Sequence, residues 1–165
     1  MATADGFAGR LEQRDWLSLA GWLLASFAPG LSGALFQPGT WYGQLAKPPL
    51  TPPGAAIGTV WLMLYALMGI AAWLVWRQRG FGGAATALTF FIAQLVANAA
   101  WSWLFFGLRL PLAALLELVI LWLLVLGTLV LFWRIRPLAG ILLLPYLAWI
   151  SFAAYLNLGV WWLNR

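Results

Sequence analysis

Long runs of apolar residues, separated by short polar breaks, dominate the pattern of hydrophobic and polar positions along this chain. A helix needs about 20 mostly apolar residues to cross a bilayer core of roughly 30 Å. Runs of that length predict five membrane-spanning helices, over residues 16–36, 55–76, 84–108, 111–133 and 138–163. The pattern therefore predicts an all-α membrane protein, built as a bundle of five transmembrane helices.

The breaks between the last four runs are short and combine arginine with glycine or proline. Glycine and proline end helices, and short connections favour antiparallel neighbours. The long connection is residues 37–54, after the first run. Residues 1–15 carry mixed charge and are predicted to form a mobile N-terminal lead before one transmembrane domain, residues 16–165. The first run exceeds the about 7–15 apolar residues of a secretory signal, which favours a retained span over a cleaved one.

The basic residues predict an orientation for the bundle. Five spans place the termini on opposite sides of the membrane, with six arginines on the N-terminal side. The other side has three basic residues, Lys47, Arg109 and Arg165. By the positive-inside rule the N-terminus is cytoplasmic, and the loop at 37–54 lies on the outer face.

Composition supports an integral membrane protein and excludes several kinds of chemistry. The chain is 64% hydrophobic and 8% charged, whereas soluble domains have about 45–50% apolar and about 25% charged residues. It contains no cysteine or histidine, which excludes disulfides, thiolate nucleophiles and the usual zinc and haem-iron ligands. The basic residues stand singly or in pairs at the ends of apolar runs, a pattern typical of membrane orientation and not of nucleic-acid binding.

Three of the predicted helices carry aromatic and polar residues at spacings of three and four. These stripes are Trp61, Tyr65 and Met68 in the second helix, Gln94, Asn98, Trp101 and Phe105 in the third, and Tyr146, Trp149, Ala153 and Asn157 in the fifth. One interpretation is that the carboxamides form interhelical hydrogen bonds and the rings pack ordinarily. The other is a pocket walled by indoles, in which an amide orients a large apolar ligand. Spacing alone leaves both open.

Two further features lie inside the spans. Glu117 is the acid in the fourth predicted helix. Without a histidine or aspartate partner it makes a poor proton relay, and we expect it near the interface, protonated or hydrogen-bonded to a neighbouring helix. Small residues recur every fourth position in the third predicted helix, at Ala85, Thr89, Ala93 and Ala97. This arrangement lets helices approach closely and predicts a homodimer through that helix, although packing within the chain explains it nearly as well.

The stretch "WYGQLAKPPLTPP" at 41–53 is a stiff aromatic loop. Proline fixes φ near −65° and pushes the preceding residue to an extended conformation, so this segment is not a floppy tether. It predicts a lid that holds Trp41 and Tyr42 over the mouth of the bundle. The alternative is an interfacial anchor that only closes a helical hairpin.

Several of these motifs occur together in a known family. The Trp-Tyr pair followed by Lys-Pro and Pro-Pro, the Asn-x-x-Trp-Ser pattern at 98–102, and Pro-Tyr with Leu-Asn at 145–157 resemble the translocator-protein family. Its members are also called tryptophan-rich sensory proteins or peripheral-type benzodiazepine receptors. The resemblance covers residues from about 16 to 164, nearly the whole chain.

The resemblance implies a five-helix bundle, commonly a homodimer, that binds porphyrins such as protoporphyrin and haem, sterols in eukaryotic members, and synthetic apolar drugs. It implies that Trp41 and Tyr42 are lid or rim residues, and that Trp61 and Asn98 hydrogen-bond the ligand. Trp101, Trp149 and Ala153 would form walls. With the stripe residues included, the expected ligand-binding set is Trp41, Tyr42, Trp61, Tyr65, Gln94, Asn98, Trp101, Trp149, Ala153 and Asn157.

The expected function is that of a receptor or sensor in a bacterial cell envelope. Its expected ligand is a porphyrin or haem, its other expected partner is membrane lipid, and no cofactor is required. No basic residue follows Tyr155 before Arg165, so the sterol motif is incomplete and tetrapyrroles are favoured. One alternative is light-dependent porphyrin breakdown involving Trp61 or Trp149, since the chain offers no acid–base pair or metal site for dark catalysis. Another is transport of tetrapyrroles or lipids across the membrane.

Overall fold

The computed structural model describes the backbone of residues 4–165 and the side chains from residue 15 onward. The helices are α1 (Ala4–Leu35), α2 (Thr40–Gln44), α3 (Gly54–Gly83), α4 (Ala85–Ser102), α5 (Pro111–Ile135) and α6 (Pro137–Leu163), and a π-helical turn, Trp103–Gly107, continues α4. The described residues contain no β-strand. Five of the helices are long and apolar enough to cross a membrane, which confirms the predicted all-α bundle of five transmembrane helices.

The helices extend beyond the apolar runs at two places. Residues 1–3 of the predicted lead lie outside the described residues. α1 begins at Ala4, well before the first apolar run, because the alanine, leucine, glutamate and arginine residues of the lead have high helix propensity. α3 continues through its basic end to Gly83. Gly80 has a φ of 64° and interrupts it, a left-handed conformation that glycine adopts without a Cβ penalty.

The five long helices form a closed ring in the order α1, α3, α6, α5, α4. α3 and α4 are joined by the single residue Ala84 yet contact one another little, since α4 packs mainly on α5 and α1. A short connection therefore does not make these two helices close neighbours. The ring is filled by fully buried side chains, among them Met68, Phe91, Phe132 and Tyr146.

The connection from α1 to α3 crosses one end of the ring. It contains α2, a five-residue helix that carries the Trp-Tyr pair, and it then runs through the prolines to the start of α3. α5 and α6 each begin with a proline, Pro111 and Pro137, where the missing N–H costs no intrahelical hydrogen bond. The starts of α3 and α5 and the end of α6 thus lie at the same end of the bundle as the loop.

Candidate functional site

A chain of four hydrogen-bonded side chains crosses the centre of the ring. Tyr65 Oη donates to Asn98 Oδ1 at 3.1 Å, and Asn98 Nδ2 donates to Tyr146 Oη at 3.0 Å. Tyr146 Oη in turn donates to Gln94 Oε1 at 3.0 Å. All four side chains are buried, and buried polar groups in an apolar interior are stable only when paired. This polar chain therefore joins α3, α4 and α6.

Two tryptophans lie against the polar chain. The Trp61 ring stacks on Tyr65, with centroids 5.3 Å apart and planes 28° apart. Trp149 meets the Trp61 ring edge to face, at 6.5 Å and 89°. Trp61 also contacts the Tyr146 ring at 6.0 Å. We call Trp61, Tyr65, Gln94, Asn98, Tyr146 and Trp149 the inner cluster.

The inner cluster contains a buried indole N–H without an acceptor. Trp149 Nε1 is buried, and no described residue accepts a hydrogen bond from it. A buried indole N–H usually finds a partner. Ala153, half-buried, follows one turn later on α6 and places no polar group there. The inner cluster thus combines flat apolar ring surfaces with a free N–H donor.

The remaining predicted residues gather nearer the loop. Trp101 Nε1 donates to Asn157 Oδ1 at 3.0 Å, and Asn157 Nδ2 donates to the Pro111 carbonyl at 2.7 Å. The Trp101 ring stacks on Phe105, with centroids 5.1 Å apart. Asn157 thereby ties α6 to α4 and α5, while Trp101 packs against both this region and the main core.

The aromatic pair of the loop packs on the π-helical turn at the end of α4. Trp41 and Tyr42 each meet the Phe105 ring at 6.0 Å, and Tyr42 meets Phe106 at 5.4 Å, all edge to face. The Lys47 ammonium lies 4.8 Å from the Tyr42 ring centroid. Burial raises the pKa of the Tyr42 phenol above its ordinary value. We call Trp41, Tyr42, Trp101, Phe105, Phe106 and Asn157 the upper cluster.

Two side chains, Tyr155 of α6 and Asn164 just after its end, hold the proline loop on the bundle. The Ala46 N–H donates to Asn164 Oδ1 at 3.0 Å, and Asn164 Nδ2 donates back to the Ala46 carbonyl at 2.9 Å. Tyr155 Oη donates to the Pro49 carbonyl at 3.1 Å. We call these contacts of Asn164 and Tyr155 the latch. It joins residues more than a hundred positions apart in sequence and keeps the loop on the bundle.

A close approach of the loop to the backbone of α6 also holds this end of the bundle closed. A Cβ added to Gly159 would lie 2.6 Å from Pro48 Cβ, so only glycine lets the loop approach α6 this closely. Pro48 itself is buried. The loop thus closes the bundle at this end.

The structure places nine of the ten predicted site residues in the two clusters. Trp61, Tyr65, Gln94, Asn98 and Trp149 lie in the inner cluster, Trp41, Tyr42, Trp101 and Asn157 lie in the upper cluster, and Ala153 lies on α6 between them. Tyr146, which was absent from the predicted set, is the centre of the polar chain. Its position in the same α6 stripe as Trp149 was the available signal. Nothing in the local sequence marked Asn164 as a latch residue.

Glu117 and the small-residue stripe of α4 lie outside both clusters. Both carboxylate oxygens of Glu117 are buried and without a hydrogen-bond partner among the described residues. Ala85 and Thr89 are exposed on α4, whereas Ala93 and Ala97 are half-buried. Within residues 15–165 no group of three histidine, cysteine, aspartate or glutamate side chains is placed to hold a metal ion.

Comparison with known proteins accords with this architecture. The Tryptophan-rich protein TspO of Archaeoglobus fulgidus is 40% identical over 151 residues, covering 90% of this chain and 97% of the relative. The Tryptophan-rich sensory protein of Cereibacter sphaeroides is 38% identical, covering 91% and 93%. The human Translocator protein is 37% identical, covering 88% and 89%.

The match to a family model extends over the transmembrane region. The model of the TspO/MBR family matches residues 19–163, a range that includes both clusters and the loop between α1 and α3. The resemblance inferred from the Trp-Tyr, Asn-x-x-Trp-Ser and Pro-Tyr motifs is confirmed. With five helices able to span a membrane, this integral membrane protein belongs to the TspO/MBR family.

Proposed function

We propose that this protein is a membrane receptor or sensor that binds porphyrins and other flat apolar ligands at the inner cluster, beneath the first loop, and serves tetrapyrrole handling or its regulation. The observation that carries the proposal is the unpaired, buried N–H of Trp149 beside the face of Trp61. The name of the Cereibacter sphaeroides relative, Tryptophan-rich sensory protein, supports a sensing role.

The chemistry of a tetrapyrrole suits these surfaces. It is a broad apolar plate with carboxylate edges, so burial against Trp61 and Trp149 gains roughly 25 cal/mol for each Å² of apolar surface removed from water. Trp149 Nε1 donates to an acceptor atom of the ligand. Asn98 uses one N–H of its amide group for Tyr146, so its second N–H remains for the ligand.

The loop controls access in this proposal. The contacts that hold it are the latch, the Pro48–Gly159 contact and the packing of Tyr42 on Phe106. The Lys47 ammonium donates to the Gly43 and Leu45 carbonyls at 3.4 and 3.2 Å. An ammonium has three donors, so one remains to meet a ligand carboxylate when the loop closes. The loop is therefore a lid with a charged edge.

Titration with protoporphyrin tests the proposal. In the purified protein, quenching of tryptophan fluorescence is expected to saturate. Trp149→Phe keeps an aromatic ring but removes the N–H donor, and it should weaken binding about tenfold, the effect of one hydrogen bond to a charged or strongly polar group. Trp61→Phe and Asn98→Ala should each weaken binding as well. Unchanged titration curves in all three variants would refute the site.

Trp76 offers a matched control. Its Nε1 is also buried without an acceptor among the described residues, but its ring contacts Phe81, away from the inner cluster. Trp76→Phe removes the same kind of donor and should leave porphyrin affinity at the wild-type value. An equal loss in Trp76→Phe and Trp149→Phe would mean that the effect of Trp149 is not local.

Illumination separates the receptor from an enzyme. The rings of Trp61, Tyr65, Tyr146 and Trp149 form a continuous aromatic group, and such a group next to a bound pigment favours light-dependent porphyrin breakdown as the second candidate. Stable pigment absorbance under light in air supports a receptor. Loss of absorbance that requires Trp61 or Trp149 supports the enzyme, and uptake of porphyrin into proteoliposomes supports a carrier.

We further propose a homodimer through the small-residue stripe of α4. Thr89 is exposed in the single chain, so Thr89→Phe can be accommodated by the monomer while blocking close helix approach. Light scattering should show a dimer for the wild type and a monomer for Thr89→Phe. Leu62→Phe, at an exposed position of α3, should remain dimeric. Dimers in both variants would place the interface elsewhere.

A cytoplasmic N-terminus also stays a proposal, and the chain is well suited to its test. Because the sequence contains no cysteine, a single cysteine introduced at Gln37 or at Gln78 reports the side of the membrane on which it lies. An impermeant thiol reagent applied outside the cell should label the Gln37→Cys variant and spare Gln78→Cys. The opposite labelling pattern would reverse the topology.

A further inference from the structure

An open cleft lies between the start of α5 and the end of α6, away from the inner cluster. This α5–α6 cleft has a volume of about 510 Å³. Leu112, Leu116 and Val160 give it an apolar floor, and Arg109 and Arg165 lie on its rim. α5 begins and α6 ends at the loop end of the bundle. The cleft therefore lies where these two spans leave the hydrocarbon core.

The two rim arginines are positioned by aromatic rings and not by acids. The Arg165 guanidinium lies 3.2 Å from the Trp162 ring centroid, and that of Arg109 lies 5.9 Å from the Trp41 ring centroid. The ion pair found among the described residues joins Arg77 to an aspartate of α1, at the opposite end of the bundle. A cation over a ring keeps its N–H donors, so both guanidinium groups can bind an anion.

The backbone at Arg109 is unusual. Its φ is 57°, a left-handed conformation that costs a non-glycine residue free energy and is often found at functional sites. Hydrogen bonds on either side hold it: Leu108 N–H donates to the Trp103 carbonyl at 2.8 Å and Leu110 N–H to the Leu104 carbonyl at 3.0 Å. Arg109 is thus fixed at the rim of the cleft by the connection between the π-helical turn and α5.

We propose that the α5–α6 cleft binds an anionic membrane phospholipid. The negatively charged headgroup lies between the guanidinium groups of Arg109 and Arg165, and an acyl chain lies along Leu112 and Leu116. The charges are complementary, because two cations without acidic partners among the described residues face a headgroup of net negative charge. The apolar floor favours a lipid over a soluble anion, since a soluble anion would occupy the rim and leave Leu112 and Leu116 uncovered.

Lipid retention measures this preference directly. The purified protein is mixed with equal amounts of phosphatidylglycerol and phosphatidylcholine, and the bound lipid is counted by native mass spectrometry. The wild type should retain phosphatidylglycerol preferentially. Each of Arg109→Gln and Arg165→Gln should reduce the preference about fivefold at low salt, the usual effect of one basic residue at an anionic surface. The double variant should retain the two lipids equally.

Two controls make the test specific. Arg79→Gln removes one charge at the other end of the bundle, outside the cleft, and should keep the full preference. Soluble glycerol phosphate, added at the concentration of the lipid, should not displace phosphatidylglycerol, because it cannot use the apolar floor. The proposal is overturned by equal retention of both lipids in the wild type, by a preference that survives in the double variant, or by displacement with glycerol phosphate.

The lipid site and the porphyrin site are separable. Arg109 and Arg165 are not part of the inner cluster, so the double variant should give the wild-type protoporphyrin titration, which also shows that it is folded. Loss of lipid preference with normal porphyrin binding supports the lipid proposal alone. Normal lipid preference in Trp149→Phe would show that weaker porphyrin binding leaves the lipid site intact.

Discussion

Tyr146 of α6 donates a 3.0 Å hydrogen bond to Gln94 of α4 at the centre of the bundle. The two helices are not adjacent in the ring, where α5 and α1 are the main neighbours of α4. The same hydroxyl accepts a hydrogen bond from Asn98, so one phenol satisfies groups on both carboxamides of α4. The interior is therefore held across its diameter by directional polar contacts in addition to apolar packing.

Removal of this hydroxyl should destabilise the bundle. Tyr146→Phe leaves Gln94 Oε1 and one N–H of Asn98 without partners, and we expect the free energy of unfolding to fall by about 1–2 kcal/mol. Reversible unfolding in mixed detergent micelles measures the change. Tyr155→Phe is the control, because its hydroxyl bonds the loop at an exposed position and its loss should have a smaller effect. Equal losses in both variants would contradict a structural role for the polar chain.

The latch should slow the entry of porphyrin. Asn164→Ala removes both hydrogen bonds to Ala46, and we expect association of protoporphyrin to become up to about fivefold faster, since two partly exposed hydrogen bonds contribute about 1 kcal/mol. Stopped-flow quenching of tryptophan fluorescence measures the rate. Gly159→Ala should act in the same direction, because its Cβ would lie 2.6 Å from Pro48 Cβ.

A control for the latch is available in the same loop. Gln37 is exposed and donates to the Ala34 carbonyl, within its own segment. Gln37→Ala should leave the association rate unchanged. If Asn164→Ala and Gln37→Ala associate at the same rate as the wild type, loop opening does not limit porphyrin entry.

Alkaline pH should loosen the lid. Burial raises the pKa of Tyr42 above its ordinary value of 10.0, so the folded loop favours the neutral phenol. The resulting stabilisation is complete below pH 10 and is lost as pH rises through the higher pKa of the docked loop. Porphyrin association should therefore accelerate above pH 10 in the wild type. Tyr42→Phe should not show this step, and an identical pH profile in the variant would rule out Tyr42 as its origin.

Haem and metal-free protoporphyrin should bind with similar affinity. The chain has no histidine or cysteine, and recognition at the inner cluster depends on ring faces and hydrogen bonds and not on an axial ligand to iron. Parallel titrations should give dissociation constants within a few fold of each other. Haem that binds an order of magnitude more tightly would indicate an iron ligand, for which a spectrum with a shifted Soret band is the direct check.

Much of the candidate site followed from periodicity. Tyr65, Asn98 and Trp149 were singled out because they lie on regular stripes of their helices, and the structure brings all three into the inner cluster. The grouping of Trp41 with Phe105 was not predictable in the same way. It depends on how α2 and the π-helical turn meet, and neither element has a signal in the hydropathy pattern.

The sequence by itself determined the number of spans, their length and which face of each helix carries rings and amides, because hydropathy and a period of 3.6 residues are local properties of the chain. The tertiary structure decided which faces meet. The ring order that separates α3 from α4, the role of Tyr146 and the bond between Asn164 and Ala46 across 118 positions depend on how all five helices pack together, since each helix can rotate about its axis until its neighbours are in place.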